Sequence, residues 1–316
     1  MEHAWPALAL ADWEPTYQTL HRWTQVVGKV QLALAPHLNH WWHVTQRVTS
    51  RGLATGLLCG EHDLTITFDF LDHRVVAETS DGRKDSFALQ PMTVAAFHYL
   101  TCQMLDRLGV HVRMWPVPVE VKDATPFPED RHHASYDRAA VERLHRALLV
   151  VDHVFEVHRG RFLGKSSPPQ FFWGAFDLAI TRFSGRRNPS PPPDVIMGEA
   201  YSHEVISHGF WPGGDFLDKG RIEEPVFYAY AVPEPEGFRR AAVEPEAARY
   251  DERFGEYMLP YDAVRGARDP EATLLSFMET TYLAAARPAG WSVDDLRATS
   301  NVGTRSSQGR PTAAFG

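Results

Sequence analysis

The stretch from Gln170 to Ser184 poses the sharpest chemical question in the chain. Read as one strand over residues 170–184, it places Asp177 on the face that carries Phe171, Trp173, Ala175, Ala179, Thr181 and Phe183. Arg182 falls on the opposite face with Phe172, Phe176, Leu178 and Ile180. Both faces are largely apolar, as in a strand covered on both sides. An unpaired ion in such surroundings costs several kcal/mol, so each charge has to be paired or used. One reading pairs Arg182 with Glu204, and Asp177 with Arg186 or Lys165. The other makes Arg182 a clamp for a ligand carboxylate or phosphate, a task for which its planar fork is suited. On that reading Trp173, Asp177 and Tyr228 line the same hollow, and His203 or Glu204 acts as acid–base group, since a pocket can tune either toward neutral pH.

Sixteen histidines also raise a metal reading. His203-Glu204 with His208 is not a helical metal pair, because five positions turn the second ligand by about 140°. On a strand His203 and His208 point to opposite sides, and Glu204 and His208 stand about 13 Å apart. A metal site therefore needs ligands from separate elements, with His40, His43 and His203 as the candidates. The bland alternative leaves His40 and His43 as half-buried neighbours of Trp41 and Trp42. Tyr228 and Tyr230 share one face of a strand over 225–233, opposite Ala229 and Ala231, and either line a cavity or pack on the sheet. Gly164-Lys165-Ser166-Ser167 lacks the upstream glycine of a phosphate loop and is followed by Pro168. Neither a nucleophile elbow nor a dinucleotide fingerprint is present.

The elements that must hold these residues follow from periodicity. Apolar residues at three- and four-residue spacing predict helices over 16–34, 93–108, 138–160 and 270–286, with Pro36 and Gly109 closing the first two. Strands are expected over 39–49, 64–71, 74–79, 110–115, 170–184, 202–211, 225–233 and 256–260. Residues 1–115 and 132–297 then form two α+β halves, each helix, antiparallel strands, helix, joined by a Pro-rich connector at 116–131. Residues 298–316 read as a disordered tail. Leu20-His21-Arg22 with Val26, Val27 and Val30 matches Leu144-His145-Arg146 with Val150, Val151 and Val154 at the same offsets. This points to internal duplication, with packed sheets or a barrel carrying helices outside and a cleft between the halves.

Several segments together resemble a bacterial family known only as domain of unknown function 5996. They are residues 162–187, Tyr201-Ser202-His203-Glu204-Val205-Ile206-Ser207 with Gly209-Phe210-Trp211-Pro212-Gly213, Asn39-His40-Trp41-Trp42-His43, and His133-Ala134-Ser135-Tyr136-Asp137. The resemblance runs from Trp5-Pro6 to about Trp291 and implies no activity. This chain departs from the pattern at Gln170, where the family often has histidine, and at His208, where it often has another residue.

Composition sets the remaining bounds. With 316 residues, 44% hydrophobic and 23% charged, the chain can bury a large core without disulfide or metal staples. A net charge of -8 argues against nucleic acid as partner. Two cysteines without paired spacing, no leader-like N-terminus and no long apolar run make a soluble cytoplasmic protein the expectation, with no membrane partner. The cofactor, the oligomeric state and whether the chain is an enzyme at all stay open. The leading functional reading is an aromatic, partly charged pocket that binds or transforms a small anionic metabolite. The alternatives are a metal-dependent oxygenase or hydrolase using the clustered histidines, and a non-catalytic scaffold or interaction protein.

Overall fold

Pro15 in its first turn and Pro36 just beyond its end bracket α1 (Glu14–Leu34), and nearly every residue of α1 from Thr16 to Gln31 is buried. A computed structural model describes residues 5–217 and 219–298 of the chain and shows an α+β protein built around this helix. The first half continues through β1 (Arg47–Thr49), β2 (Gly52–Ala54), β3 (Leu64–Asp69), β4 (Arg74–Thr79) and β5 (Lys84–Ala88) to α2 (Val94–Arg107). Thr93 caps α2 by accepting from the Ala96 N–H, and Gly109 beyond its end takes the left-handed φ of 74°.

The second half opens with α3 (Arg138–Gly160), capped by Asp137. It runs through β6 (Gln170–Phe172), β7 (Asp177–Arg187), α4 (Val195–Ala200), β8 (His203–Trp211), β9 (Gly214–Phe216), β10 (Gly220–Ile222), β11 (Val226–Val232), β12 (Arg249–Asp251) and β13 (Glu256–Pro260). It closes with α5 (Tyr261–Arg265) and α6 (Pro270–Ala286). The strands form a five-stranded antiparallel sheet in the order β1-β2-β3-β4-β5 and a six-stranded one in the order β12-β13-β11-β8-β7-β6, with β9 and β10 as a separate hairpin. Both large sheets lie in sequence between an opening and a closing helix; the first is a meander, whereas in the second β13 inserts between β11 and the edge strand β12. No helix among the described residues is long and apolar enough to cross a membrane.

Edges β1 and β6 meet where Gln46 and Phe171 exchange both backbone hydrogen bonds at 2.9 Å. Each opening helix also reaches across this seam. His21 of α1 donates Nε2–H to the Gly174 carbonyl (2.7 Å), and His145 of α3 donates its own to the Thr49 carbonyl (2.9 Å). Across the core of the first half, Trp23 stacks on Phe97 with centroids 4.8 Å apart.

Three expectations are corrected. Residues 39–44 form a 3-10 turn, with His40 and Trp41 at φ near 60°, and only Arg47–Thr49 is a strand. Gln31 stabilises that turn by donating to the carbonyls of His43 and Thr45. Residues 110–115 make no strand. The long strand expected over 170–184 breaks at Trp173–Phe176, where Phe176 has a φ of 62°, into the β6–β7 hairpin. The Pro-rich stretch packs against α1 as more than a spacer, with Phe127 fully buried and Asp130 3.5 Å from Arg22. Of the tail expected over 298–316, residues 299–316 lie outside the described residues.

Removing the His21 imidazole leaves the Gly174 carbonyl only the 3.4 Å donation from Gln25, and removing that of His145 takes a donor from the Thr49 carbonyl. Gly174 is buried, whereas Thr49 is half-buried and open to replacement by water. His21→Ala is expected to lower unfolding stability by about 1–3 kcal/mol in urea titrations, and His145→Ala by less.

Candidate functional site

The face of the six-stranded sheet turned away from α3 and α6 is small at its centre and large around it. Ala179 of β7, Gly209 of β8, Tyr228 of β11 and Met258 of β13 lie in one cross-strand row. Thr181, Ser207 and Tyr230 lie in the next. A Cβ on Gly209 would collide with the Tyr228 ring, so the glycine lets that ring lie across β8. Its hydroxyl thereby reaches β7 and donates to the Asp177 carboxylate. In the next row Thr181 and Ser207 share a hydroxyl hydrogen bond of 2.8 Å, and Tyr230 meets the Tyr201 hydroxyl at 3.0 Å.

Over this face lies a cavity of about 400 Å³. Its other walls are Lys29 and Leu32 of α1, His40, Trp41, Trp42 and Val44, Val119 and Glu120, the Trp173–Ala175 turn, and α4 through Ile196, Met197 and Ala200. Trp41, Trp42, Trp173, Trp211, Phe216 and Phe254 supply aromatic surface. Local backbone choices set these walls. Gly28 leaves room for the Trp173 indole against α1, and the indole donates to the Val44 carbonyl. Gln25 clasps Val119 by donating to its carbonyl and accepting from its N–H, both at 2.8 Å. That clasp holds Glu120 at a φ of 55°, a region other residues than glycine seldom adopt, with its carboxyl against Gly174.

Among the described residues, three carboxyl groups, Glu120, Asp177 and Glu256, face the cavity. Burial pushes Asp177 up to about 7, against the opposing effect of the Tyr228 hydroxyl. Burial likewise takes Glu256 to about 7, with Lys219 opposing. Glu120 is raised by its protein surroundings and drawn back by Lys29. Lys29 is itself lowered by burial, and its ammonium lies 5.5 Å from the Trp173 ring centroid. Tyr228 and Tyr230 are held far above the ordinary phenol range, first by burial, and are neutral donors and acceptors. The arrangement can solvate a positive or hydroxyl-rich group between carboxylates and aromatic faces, and can exchange a proton near pH 7.

Trp173, Asp177 and Tyr228 are thus together on the cavity wall. Arg182 is not with them. It lies on the reverse face of β7, 2% exposed, with its guanidinium 4.9 Å from the Phe162 ring and 4.5 Å from that of Tyr282. There it donates to the His158 carbonyl and has Glu279 at 3.9 Å, so the expected anion clamp is packed into the helix-covered side. Glu204 pairs with Arg186 at 2.7 Å instead of Arg182, and borders a separate cavity of about 250 Å³. His203 is hydrogen-bonded through Nδ1 to Ser202 Oγ and stays off the main cavity wall. The histidine trio does not converge. His40 and His203 have ring centroids 5.8 Å apart, but His43 packs on Trp41 and His37. Among the described residues, no group of three or more His, Cys, Asp and Glu could hold a metal ion.

Sequence reasoning missed Lys29, Glu120 and Glu256. Glu256 was within reach, since alternation along β13 puts it beside Met258 on one face. Glu120 sits in an irregular Pro-rich stretch that carries no periodic signal.

A raised carboxyl value means that the folded chain binds more protons than the unfolded one between about pH 4 and 7. Stability is therefore lost as pH rises through that window. The carboxyls' share of the melting temperature is expected to fall between pH 5 and pH 8, against the buried imidazoles of His21, His158 and His208, whose lowered values favour the folded state as pH rises to about 6.5. Asp177→Asn should flatten that fall and exceed the parent at pH 8 by roughly 3 °C. Gly209→Ala should cost about 1–3 kcal/mol by forcing the Tyr228 ring off β8, which near-ultraviolet circular dichroism and urea titration will report.

No curated protein and no solved structure is significantly similar to the chain. Residues 5–298 match a family of unknown function, DUF5996, and the chain belongs to that family.

Proposed function

We propose that the protein binds a small organic molecule in the 400 Å³ cavity, and that the group it receives beside Asp177, Glu120 and Glu256 is an amine or a hydroxyl-rich moiety. The supporting observation is the charge of the wall, where three carboxyls face Lys29 and the aromatic rings. This reverses the anionic expectation at this end of the cavity, because Arg182 is spent elsewhere. A cation between ionised carboxylates and indole faces gains both Coulomb and cation–π attraction in a partly desolvated space.

A second reading concerns catalysis. Asp177 titrating near neutrality, with the Tyr228 hydroxyl donating to it, is an acid–base pair suited to move a proton at physiological pH. The reciprocal bonds of His21 and His145 support descent of the two halves from one duplicated unit. Cys59 and Cys102, both free thiols, support a reducing compartment such as the cytoplasm.

Dodecylamine stays cationic from pH 6 to pH 8 while Asp177 and Glu256 lose their protons. Its affinity, followed by isothermal titration calorimetry, is expected to rise about tenfold over that range and to drop by as much in Asp177→Asn/Glu256→Gln. An affinity that is flat or falls with pH sinks the reading.

A further inference from the structure

The segment after α3 returns alongside β7. Ser166 bridges Arg182, the Phe183 N–H donates to the Lys165 carbonyl at 3.0 Å, and the Ser167 N–H donates to the Thr181 carbonyl at 2.9 Å. Paired residues of adjacent strands project to the same side, so Lys165 projects with Phe183 to the cavity face. Its ammonium lies 4.8 Å from the Phe183 ring centroid and 5.3 Å from that of Trp42, two side chains of the cavity wall.

The tautomer of His40 follows from its partners. Nδ1 lies 3.2 Å from the carbonyls of both Glu199 and Ala200, which can only accept, so Nδ1 carries the proton. Nε2 is then a lone pair, and the Lys165 ammonium at 3.0 Å donates to it. This neutral acceptor orients the ammonium without cancelling its charge. His40 is the only hydrogen-bond partner of the Lys165 ammonium among the described residues, which leaves two of its three N–H groups open at the exposed rim. His203 stands beside His40, and Arg187 lies opposite His203 in the strand register. Glu199, the nearby carboxylate, is turned to His37 at 2.8 Å.

We infer that Lys165, oriented by His40, is an oxyanion subsite at the cavity rim, taking a ligand carboxylate or phosphate. Asp177 and Phe183 are six residues apart on β7, about 20 Å of strand, so the rim and the carboxyl-lined end suit opposite ends of one elongated ligand. The rim subsite stands on its own geometry. That the ligand is bifunctional, an amine at one end and an oxyanion at the other, rests on the function proposed above.

Calorimetric titration of the intact chain with dodecylamine, dodecanoate and 12-aminododecanoate separates the two. The amino acid is expected to bind about tenfold more tightly than the amine, and Lys165→Met should remove that advantage while leaving the amine unchanged. Dodecanoate should weaken about tenfold in Lys165→Met and hold its affinity in Asp177→Asn/Glu256→Gln. Lys165 is exposed, so its replacement leaves the core intact. Unchanged dodecanoate and amino-acid affinities in Lys165→Met, or no binding of either, overturn the subsite. Dodecanoate that needs Lys165, beside an amine indifferent to Asp177 and Glu256, keeps the rim and overturns the carboxyl-end reading. Dodecyl phosphate compared with dodecanoate tells which oxyanion the rim prefers.

Discussion

A helix buried on every side must find a partner for each polar side chain it carries, and α1 is such a helix. Its polar positions reach outward in turn. His21 takes the Gly174 carbonyl, Arg22 takes Asp130, Gln25 clasps Val119, and Gln31 holds the turn at residues 43–45. Apart from Asp130, these partners lie in irregular segments that wall the cavity. The polar residues of α1 therefore specify where chain without regular structure runs, while its apolar ones fill the core. A hydrophobic α1 would pack as well and leave those segments without anchorage.

Strand β7 sorts two kinds of buried charge onto its two faces. Arg182 faces the helices, where a carbonyl, two rings and a distant carboxylate share its charge, and its value is lowered to about 10 by burial. Below it the rings of His158 and His208 are 5.0 Å apart, and burial keeps both neutral, with His208 bonded to Thr281. Asp177 faces the hollow, where Tyr228 is its side-chain partner, and the charge is relieved by taking up a proton. On one face burial of a charge is met with contacts, and on the other it is met by protonation.

What the sequence disclosed followed from periodicity. The helices α1, α2, α3 and α6 and the β3–β4 hairpin were legible because their apolar repeats are long and undisturbed. The opposed faces of Asp177 and Arg182 were legible for the same reason. The failures fall where backbone departs from a repeat. His40 and Trp41 take a left-handed turn inside a Trp-rich run that reads as strand, and Phe176 does so inside another. Placing Arg182 in the hollow required knowing which face the helices cover, and alternation fixes only that the faces differ. Lys165 and Glu120 lie in irregular chain, and their approach to the cavity depends on partners more than 90 residues away in sequence, Gln25 among them.

The short helix α4 closes the hollow with few side-chain commitments of its own. It is tied down where Trp41 donates to the Ile196 carbonyl and His40 to those of Glu199 and Ala200, all main-chain acceptors, and the Glu199 carboxylate adds a side-chain tie to His37. Val195 is 80% exposed and Ile196 54%. Because main-chain anchors do not depend on residue identity, replacing Ile196, Met197 or Ala200 would leave the roof in place and alter only its inner contour. The fold thereby separates what holds the chamber shut from what shapes it, and a new guest could be accommodated by substitution at these positions without refashioning the scaffold.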